Sequence, residues 1–371
     1  MIPATLSGDP RVVLTLDAGG TSFRFSAWRG GQPATPTVSM PARGDDLAAC
    51  LADIVHGFLR IHEQCPAPPV AISFAFPGPA DYPGGIIGDL VNLPAFRGGV
   101  ALGPMLADRF GIPVFINNDG DLFAYGEALA GLLPEVNGFL AAAGNTRRYR
   151  NLLGVTLGTG FGGGVVTGGE LLAGDNSRAA EIWLLRNKLE PRTHVEDTVS
   201  IRGLRRGYAR AAGIPLELAP DPKGLAAIAR GRRKGDRAAA REAFRRFGEA
   251  AGDAIAQVLA VVDGLVVIGG GIAAAAPLFL PPLLRELNGN YEGPDGATHR
   301  RLGAVALNLD AARDRREFLQ GQRRRVLVPG TGRRVAYDPA TRIGVGLTRL
   351  GTSQAIALGA CAFALRQLDL P

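Results

Sequence analysis

Apolar and polar positions recur with two different periods along the chain, and together they predict an α/β fold. The run from Val12 to Leu16 is almost continuously apolar, as in a buried strand, and residues 22–28 then alternate polar and apolar with period two. Further apolar runs predict strands at 70–76, 113–116 and 265–268. Apolar residues at helical spacing predict helices at about 45–65, 236–262 and 353–365. Strands that alternate with helices, after a starting hairpin, predict a mixed sheet.

Two glycine-rich turns interrupt this pattern in the same way. They occupy 16–21 and 157–164, and each follows an apolar strand and precedes a second strand-like run that ends in a Gly-Gly pair. Glycine lets backbone N–H groups approach phosphate oxygens that a Cβ would hold away. The repeated arrangement predicts two similar half-sites that face one anionic ligand.

The second turn contains a formal G-x-G-x-x-G at Gly158, Gly160 and Gly163. A dinucleotide-binding fold requires a helix directly after those glycines, whereas residues 164–167 have the pattern of a short strand. The chain also lacks a Gly-Lys-Ser/Thr phosphate loop. These contexts argue against NAD and against a Walker-type nucleotide site.

Asp17 ends an otherwise apolar strand, where an unpaired carboxylate would be costly to bury. We expect Asp17 to hold Mg²⁺ through water, while Gly19, Gly20 and Thr21 contact phosphate. The alternative is an ordinary hairpin with an incidental aspartate.

Composition limits the remaining classes. A length of 371 residues suits two domains. The net charge is +7, but the arginines that supply it are scattered, which argues against a nucleic-acid groove. No apolar run approaches the ~20 residues of a membrane helix, and no basic segment followed by an apolar one marks a signal peptide. The expectation is a cytoplasmic protein that binds neither nucleic acid nor membrane.

Four segments together resemble the actin-like (ribonuclease H-like) ATPase fold of sugar kinases, and more narrowly the ROK (repressor, open reading frame, kinase) family. They are Asp17 to Thr21, the pair Asn118-Asp119, the turn Gly158 to Gly160, and Gly269-Gly270-Gly271. The resemblance implies duplicated mixed-sheet domains with ATP in a cleft between them. It implies an N-terminal domain at 1–120, joined by the final helix at 353–371, and a larger domain at 121–352 with an insertion near 288–349. A homodimer is also implied.

The resemblance assigns the catalytic base to Asp119 and a sugar contact to Asn118. The same two residues precede a helical pattern and make a good N-cap, so a purely structural role stays open. The nucleotide side would comprise the first turn together with Gly158, Thr159, Gly160, Gly270 and Gly271.

The resemblance assigns sugar contacts to Asn92, Glu181 and Glu196. Asn92 also suits a plain turn before proline. The family histidine falls on Leu184, and the cysteines of the family zinc loop are missing, so we expect no zinc. Trp183, next to that position, either stacks on a sugar ring or packs.

The activity that the resemblance implies is ATP- and Mg²⁺-dependent phosphorylation of a hexose or N-acetylhexosamine, at the 6-hydroxyl as in the family's glucokinases. The alternative is a non-catalytic sensor that kept the fold and binds a sugar or a nucleotide. The sequence does not name the sugar.

Overall fold

The first third of the chain follows the hydrophobic pattern closely. A computed structural model describes residues 4–18, 22–90 and 93–370. The strands in this part are β1 (Val12–Ala18), β2 (Ser22–Arg29), β3 (Gln32–Pro33), β4 (Val38–Pro41), β5 (Pro69–Ala75), β6 (Ala80–Asp81), β7 (Ile86–Ile87) and β8 (Val114–Asn117). The helices are α1 (Ala4–Ser7), α2 (Leu47–His62), α3 (Leu102–Phe110) and α4 (Asp119–Ala130).

The first sheet has the order β3-β2-β1-β5-β8, with β4 paired to β2. The hairpin pair β1 and β2 is antiparallel, whereas β1, β5 and β8 are parallel. Phenylalanines fill the space between this sheet and α2: the ring centroids of Phe25 and Phe58 are 5.0 Å apart, and those of Phe58 and Phe74 are 5.8 Å apart. The predicted mixed sheet is confirmed.

The second part of the chain forms another mixed sheet, in the order β11-β10-β9-β12-β18-β15. Its strands and the hairpins that follow are β9 (Leu152–Leu157), β10 (Phe161–Thr167), β11 (Glu170–Leu171), β12 (Leu265–Gly269), β13 (Asn290–Glu292), β14 (Thr298–Arg300), β15 (Val305–Asn308), β16 (Arg324–Leu327), β17 (Arg334–Tyr337) and β18 (Arg342–Leu347). The helices are α5 (Leu132–Ala142), α6 (Ile201–Ala212), α7 (Pro222–Ala229), α8 (Arg237–Val262), α9 (Ala276–Leu287), α10 (Ala312–Gln320) and α11 (Thr352–Asp369). Because β10 follows the second glycine turn directly, the turn lies between two strands, as the sequence predicted.

The segment 288–349, expected as an insertion, contributes directly to the second sheet. Strand β18 pairs in parallel with β12 on one side and with β15 on the other. The isolated hairpins β13–β14 and β16–β17 stand apart from that sheet. The sequence pattern did not predict β15 and β18, because arginines surround both strands. Since these strands belong to the second sheet, the additions to the main fold in this segment are the two hairpins and α10.

Helix α11 packs against α4 through two glycines. A Cβ on Gly126 would collide with the carbonyl oxygen of Ala355, and a Cβ on Gly359 would collide with that of Leu122. The same helix packs on β1 and β5. The small-residue pattern at 353–365 therefore correctly predicted a closely packed terminal helix.

The chain divides into two compact units. The first contains 1–134, 164–180 and 349–371, and the second contains 135–163 and 181–348. Helix α4 belongs to the first unit because it packs on α11. Among the described residues, no helix has both the length and the apolar character needed to cross a membrane.

Candidate active site

The strand register of the first sheet brings Asp17 and Asn118 to the same edge. Asp17 of β1 is level with Ala75 of β5, and Ala75 is level with Asn117 of β8. Two strand spacings of about 4.8 Å therefore separate the backbone at Asp17 from the end of β8. Asn118 and Asp119 follow β8 at once, so both enter the site from the carboxyl ends of parallel strands.

Asn118 is the N-cap of α4. Its side-chain oxygen accepts a hydrogen bond from the backbone N–H of Gly120 at 2.8 Å, and the Asp119 Oδ1 accepts from the same N–H at 2.9 Å. The capping role left open by the sequence is thus filled by Asn118. Asp119 is exposed at the first position of the helix, where the helix dipole favours a negative charge.

The surroundings of Asp119 change its acidity. Desolvation of the carboxyl group is the largest effect, and it raises the pKa of Asp119 above 3.8. The Gly120 hydrogen bond acts in the opposite direction, and the negative charge of Asp17 adds to the increase. A carboxylate with a raised pKa is a better proton acceptor.

The two carboxylates fit a magnesium site. The negative charge of Asp17 contributes to the raised pKa of Asp119, so the two carboxylates repel each other. A hard divalent cation with oxygen ligands would relieve that repulsion. Asp17 at the end of β1 is the residue that would hold such an ion through water. Gly19, Gly20, Thr21 and Asn92, which the sequence placed on phosphate and sugar, lie outside the described residues.

In the second unit, two glycine turns lie side by side. Strands β9 and β12 are parallel neighbours, so the turns that follow them share one edge of the sheet. Gly270 has a φ of +85°, and a Cβ there would collide with the carbonyl oxygen of Leu157. The structure therefore brings Gly158, Thr159 and Gly160 next to Gly270 and Gly271. Ligands of open α/β sheets bind at such carboxyl edges.

The glycines in these turns serve different purposes. A Cβ on Gly160 would lie 2.5 Å from the Glu196 carboxylate, so packing requires glycine there. At Gly158 and Gly271, no heavy atom of the described residues lies within 4 Å of an added Cβ, and neither has a positive φ. Packing does not explain those two glycines.

Glu196 contacts the second glycine turn through its side chain. Its Oε2 accepts a hydrogen bond of 2.9 Å from the backbone N–H of Phe161, the first residue of β10. Ser200 donates to the backbone oxygen of Glu196 at 2.7 Å and fixes the short 3₁₀ helix Val195–Asp197. One carboxylate oxygen thus orients the turn, and the other can accept a further hydrogen bond.

Glu181 forms a small cluster with an aromatic pair. The Trp183 indole N–H donates to its carboxylate, and the Trp183 ring meets the His194 ring edge to face, with centroids 5.4 Å apart. His194 Nδ1 lies 3.6 Å from Asp197 Oδ2. Leu184 is 53% exposed beside this cluster. Trp183 therefore holds Glu181 in place by a hydrogen bond that a leucine or phenylalanine could not make.

Among the described residues, no group of three or more His, Cys, Asp and Glu side chains is arranged to hold a metal ion. His194 contacts Trp183 and Asp197 instead.

Comparison with known proteins identifies the family of the chain. The family model described as ROK family matches residues 13–298. The chain belongs to the ROK family. A crystal structure of a glucokinase from Parabacteroides distasonis is 53% identical, with a TM-score of 0.88, over 97% of this chain and 99% of that one. The predicted family and the predicted actin-like fold are both confirmed.

More distant ROK relatives carry two different names. An N-acetyl-D-glucosamine kinase from Vibrio vulnificus is 28% identical over 69% of this chain and 83% of its own length. A glucokinase from Thermotoga maritima is 32% identical over 63% of this chain and 73% of its own. These ROK relatives support the predicted class of enzyme, an ATP-dependent sugar kinase.

The sequence did not predict two contacts of the candidate site residues. The bond from Phe161 to Glu196 joins residues 35 positions apart, and its donor is a backbone group that any residue type would supply. The bond from Trp183 to Glu181 spans two residues. The spacing of an indole and a carboxylate in Glu181-Ile182-Trp183 was the only signal available for it.

Proposed function

We propose that the protein transfers the γ-phosphoryl group of ATP to the 6-hydroxyl of a hexose or an N-acetylhexosamine. The observation that carries this proposal is the pair of carboxylates, Asp17 and Asp119, at the carboxyl ends of β1 and β8. Their placement in a ROK chain that is 53% identical to a glucokinase supports a kinase rather than a structural role.

Asp119 is the proposed catalytic base. Its carboxylate takes the proton of the sugar hydroxyl as the hydroxyl oxygen attacks the γ-phosphorus. The bond from phosphorus to the bridging oxygen breaks, and ADP leaves with that electron pair. Phosphoryl transfer depends mainly on such positioning and on charge stabilisation. Mg²⁺ near Asp17 would supply part of that stabilisation when bound.

The remaining residues bind and orient the two substrates. Backbone N–H groups at the turns around Gly158 and Gly271 suit the phosphates of ATP, because those glycines leave room for close approach. Glu181, held by Trp183, and the unshared oxygen of Glu196 are the proposed acceptors for sugar hydroxyls. Asn92 and Asn118 complete the proposed sugar site. The proposed assembly is a homodimer, and light scattering tests it.

The test is ADP release by the purified protein with a panel of hexoses and N-acetylhexosamines. The expected result is ADP formation that depends on one class of sugar, with the phosphate located on O6 by NMR. Exposed Leu184, at the position of the family histidine, favours one competing outcome, a sugar sensor. Calorimetric sugar binding without ADP release would establish the sensor and reject the kinase.

A further inference from the structure

A cavity of about 160 Å³ lies in the second unit, and its lining contains none of the residues assigned above to catalysis or substrate binding. Helices α6 and α8, the 3₁₀ helix Val195–Asp197, Glu190 and Thr198 line it, and it is open to solvent. Its charged lining consists of Arg206, Arg210, Arg246, Glu190 and Asp197. We call it the arginine cavity. Since one water occupies about 30 Å³ of liquid, the cavity has room for an anion of several heavy atoms.

The two carboxylates of the cavity, Glu190 and Asp197, do not accept hydrogen bonds from all three of its arginines. Arg210 donates to Glu190 Oε1 at 2.9 Å, while Arg246 lies 3.8 Å from the same oxygen. Arg206 lies 4.0 Å from Asp197. Contacts at 3.8 and 4.0 Å are too long for hydrogen bonds. Among the described residues, neither Arg206 nor Arg246 has a hydrogen-bond acceptor in the cavity, so both bring N–H donors to its wall.

The charge balance favours an anionic occupant. Three guanidinium groups face two carboxylates in the lining. Asp197 is shared further, because Arg202 binds the oxygen that Arg206 approaches and His194 lies 3.6 Å from the other. The planar fork of arginine matches the oxygens of a phosphate group. The side chains of Arg206 and Arg246 are 38% and 33% exposed, so a solute can reach them.

We propose that the arginine cavity binds a small phosphate-bearing anion, either inorganic phosphate or a phosphate ester, and that its occupancy is linked to the second glycine turn. The link is short. Asp197 lines the cavity, and its neighbour Glu196 accepts from the Phe161 N–H. Ile201, at the start of α6, donates to the carbonyl oxygen of Gly158 at 2.9 Å. An anion that binds Arg206 weakens the attraction of Arg206 to Asp197. This change reaches the second glycine turn through Glu196 and through Ile201 of α6, and such coupling between two binding sites is reciprocal.

Calorimetric titration of the full chain with inorganic phosphate tests the site. A saturating non-hydrolysable ATP analogue is present, so that phosphate cannot occupy the nucleotide site. The expected result is saturable binding that Arg206→Gln/Arg246→Gln weakens by about tenfold or more, since each removes a charge-assisted phosphate contact. The matched control Arg232→Gln/Arg245→Gln removes the same charge from exposed positions outside the cavity and should bind as the wild type does.

Further arms separate the possible outcomes. Glucose 6-phosphate that binds more tightly than phosphate, and loses this binding in Arg206→Gln/Arg246→Gln, identifies an ester as the ligand of the cavity. Cavity binding no tighter than that of phosphate identifies phosphate. The proposed link requires that phosphate change the affinity for the analogue in the wild type and not in Arg206→Gln/Arg246→Gln. Absence of saturable binding at millimolar phosphate, or unchanged binding in that variant, would overturn the site. A chain that fails to phosphorylate any sugar yet binds phosphate in the cavity would reject only the proposed function.

Discussion

The carboxylate of Glu196 and the backbone N–H of Phe161 are joined by a hydrogen bond of 2.9 Å. This bond ties a residue assigned to the sugar by resemblance to the turn assigned to the nucleotide. Gly160 lies directly beneath it, because a Cβ there would press on the same carboxylate. One side chain thus connects the two substrates in the proposed reaction.

Removal of this carboxylate is expected to weaken nucleotide binding. In Glu196→Ala, the Phe161 N–H loses its charged acceptor and the turn loses its anchor. A hydrogen bond to a charged group contributes about 1.5–3 kcal/mol, so the KM for ATP should rise by about tenfold or more. Steady-state kinetics with both substrates varied makes the measurement. Glu217→Ala, at an exposed position of the same unit, is the control and should behave as the wild type does.

Substitutions at Gly270 and Gly271 should separate an effect on folding from an effect on nucleotide binding. Gly270→Ala places a Cβ against the Leu157 backbone at a φ of +85°, which should cost about 2–4 kcal/mol of unfolding free energy. Gly271→Ala meets open space, so its melting temperature should stay close to that of the wild type while its KM for ATP rises. Thermal melts and kinetics of the two variants check this. Equal losses of stability would contradict the distinction.

The sequence was sufficient for the elements with an unbroken pattern. Strands β1, β5, β9 and β12, helix α8 and the terminal helix are where the apolar periods predicted them. Strand β18 was missed because arginine and glycine dilute its short apolar pattern, although the sheet buries most of it. Periodicity describes single elements, whereas the place of β18 depends on its pairing with β12 and β15.

The sequence predicted which segments form the candidate site but not the contacts of each residue within it. The glycine turns and the pair Asn118-Asp119 were visible as motifs. The sequence did not show which of these glycines packing requires, because that depends on the atoms that a Cβ would meet at Gly158 and at Gly270. Trp183 illustrates the same limit, since its role follows from the direction of one indole N–H.

Trp183 should report on sugar binding by fluorescence. The chain has two tryptophans, and Trp28 is 4% exposed and donates to Ser26 within the first unit. A sugar that binds at Glu181 should change the emission of Trp183. The change should persist in Trp28→Phe and vanish in Trp183→Phe, whose KM for sugar should rise several-fold because Glu181 loses the hydrogen bond from the indole. A signal that survives Trp183→Phe would place the sugar elsewhere.

The raised pKa of Asp119 sets the direction of the pH dependence. A general base works only when ionised, so kcat/KM should increase with pH through the pKa of Asp119 in the free enzyme. Because desolvation and Asp17 raise that pKa, the acidic limb should have its midpoint above 3.8. A pH profile of kcat/KM checks this. Asp17→Asn removes one cause of the raised pKa of Asp119, so the acidic limb of the kcat/KM profile should move to lower pH.

Asp119→Asn tests the central claim most directly. The variant keeps the size of the side chain, the cap from Asn118 and an oxygen that can accept from Gly120, so its melting temperature and its affinity for ATP should match those of the wild type. Its kcat for sugar phosphorylation should fall by about a hundred- to ten-thousandfold. Asp108→Asn, at an exposed position of α3, should keep full activity. A folded Asp119→Asn enzyme with the kcat of the wild type would contradict the account.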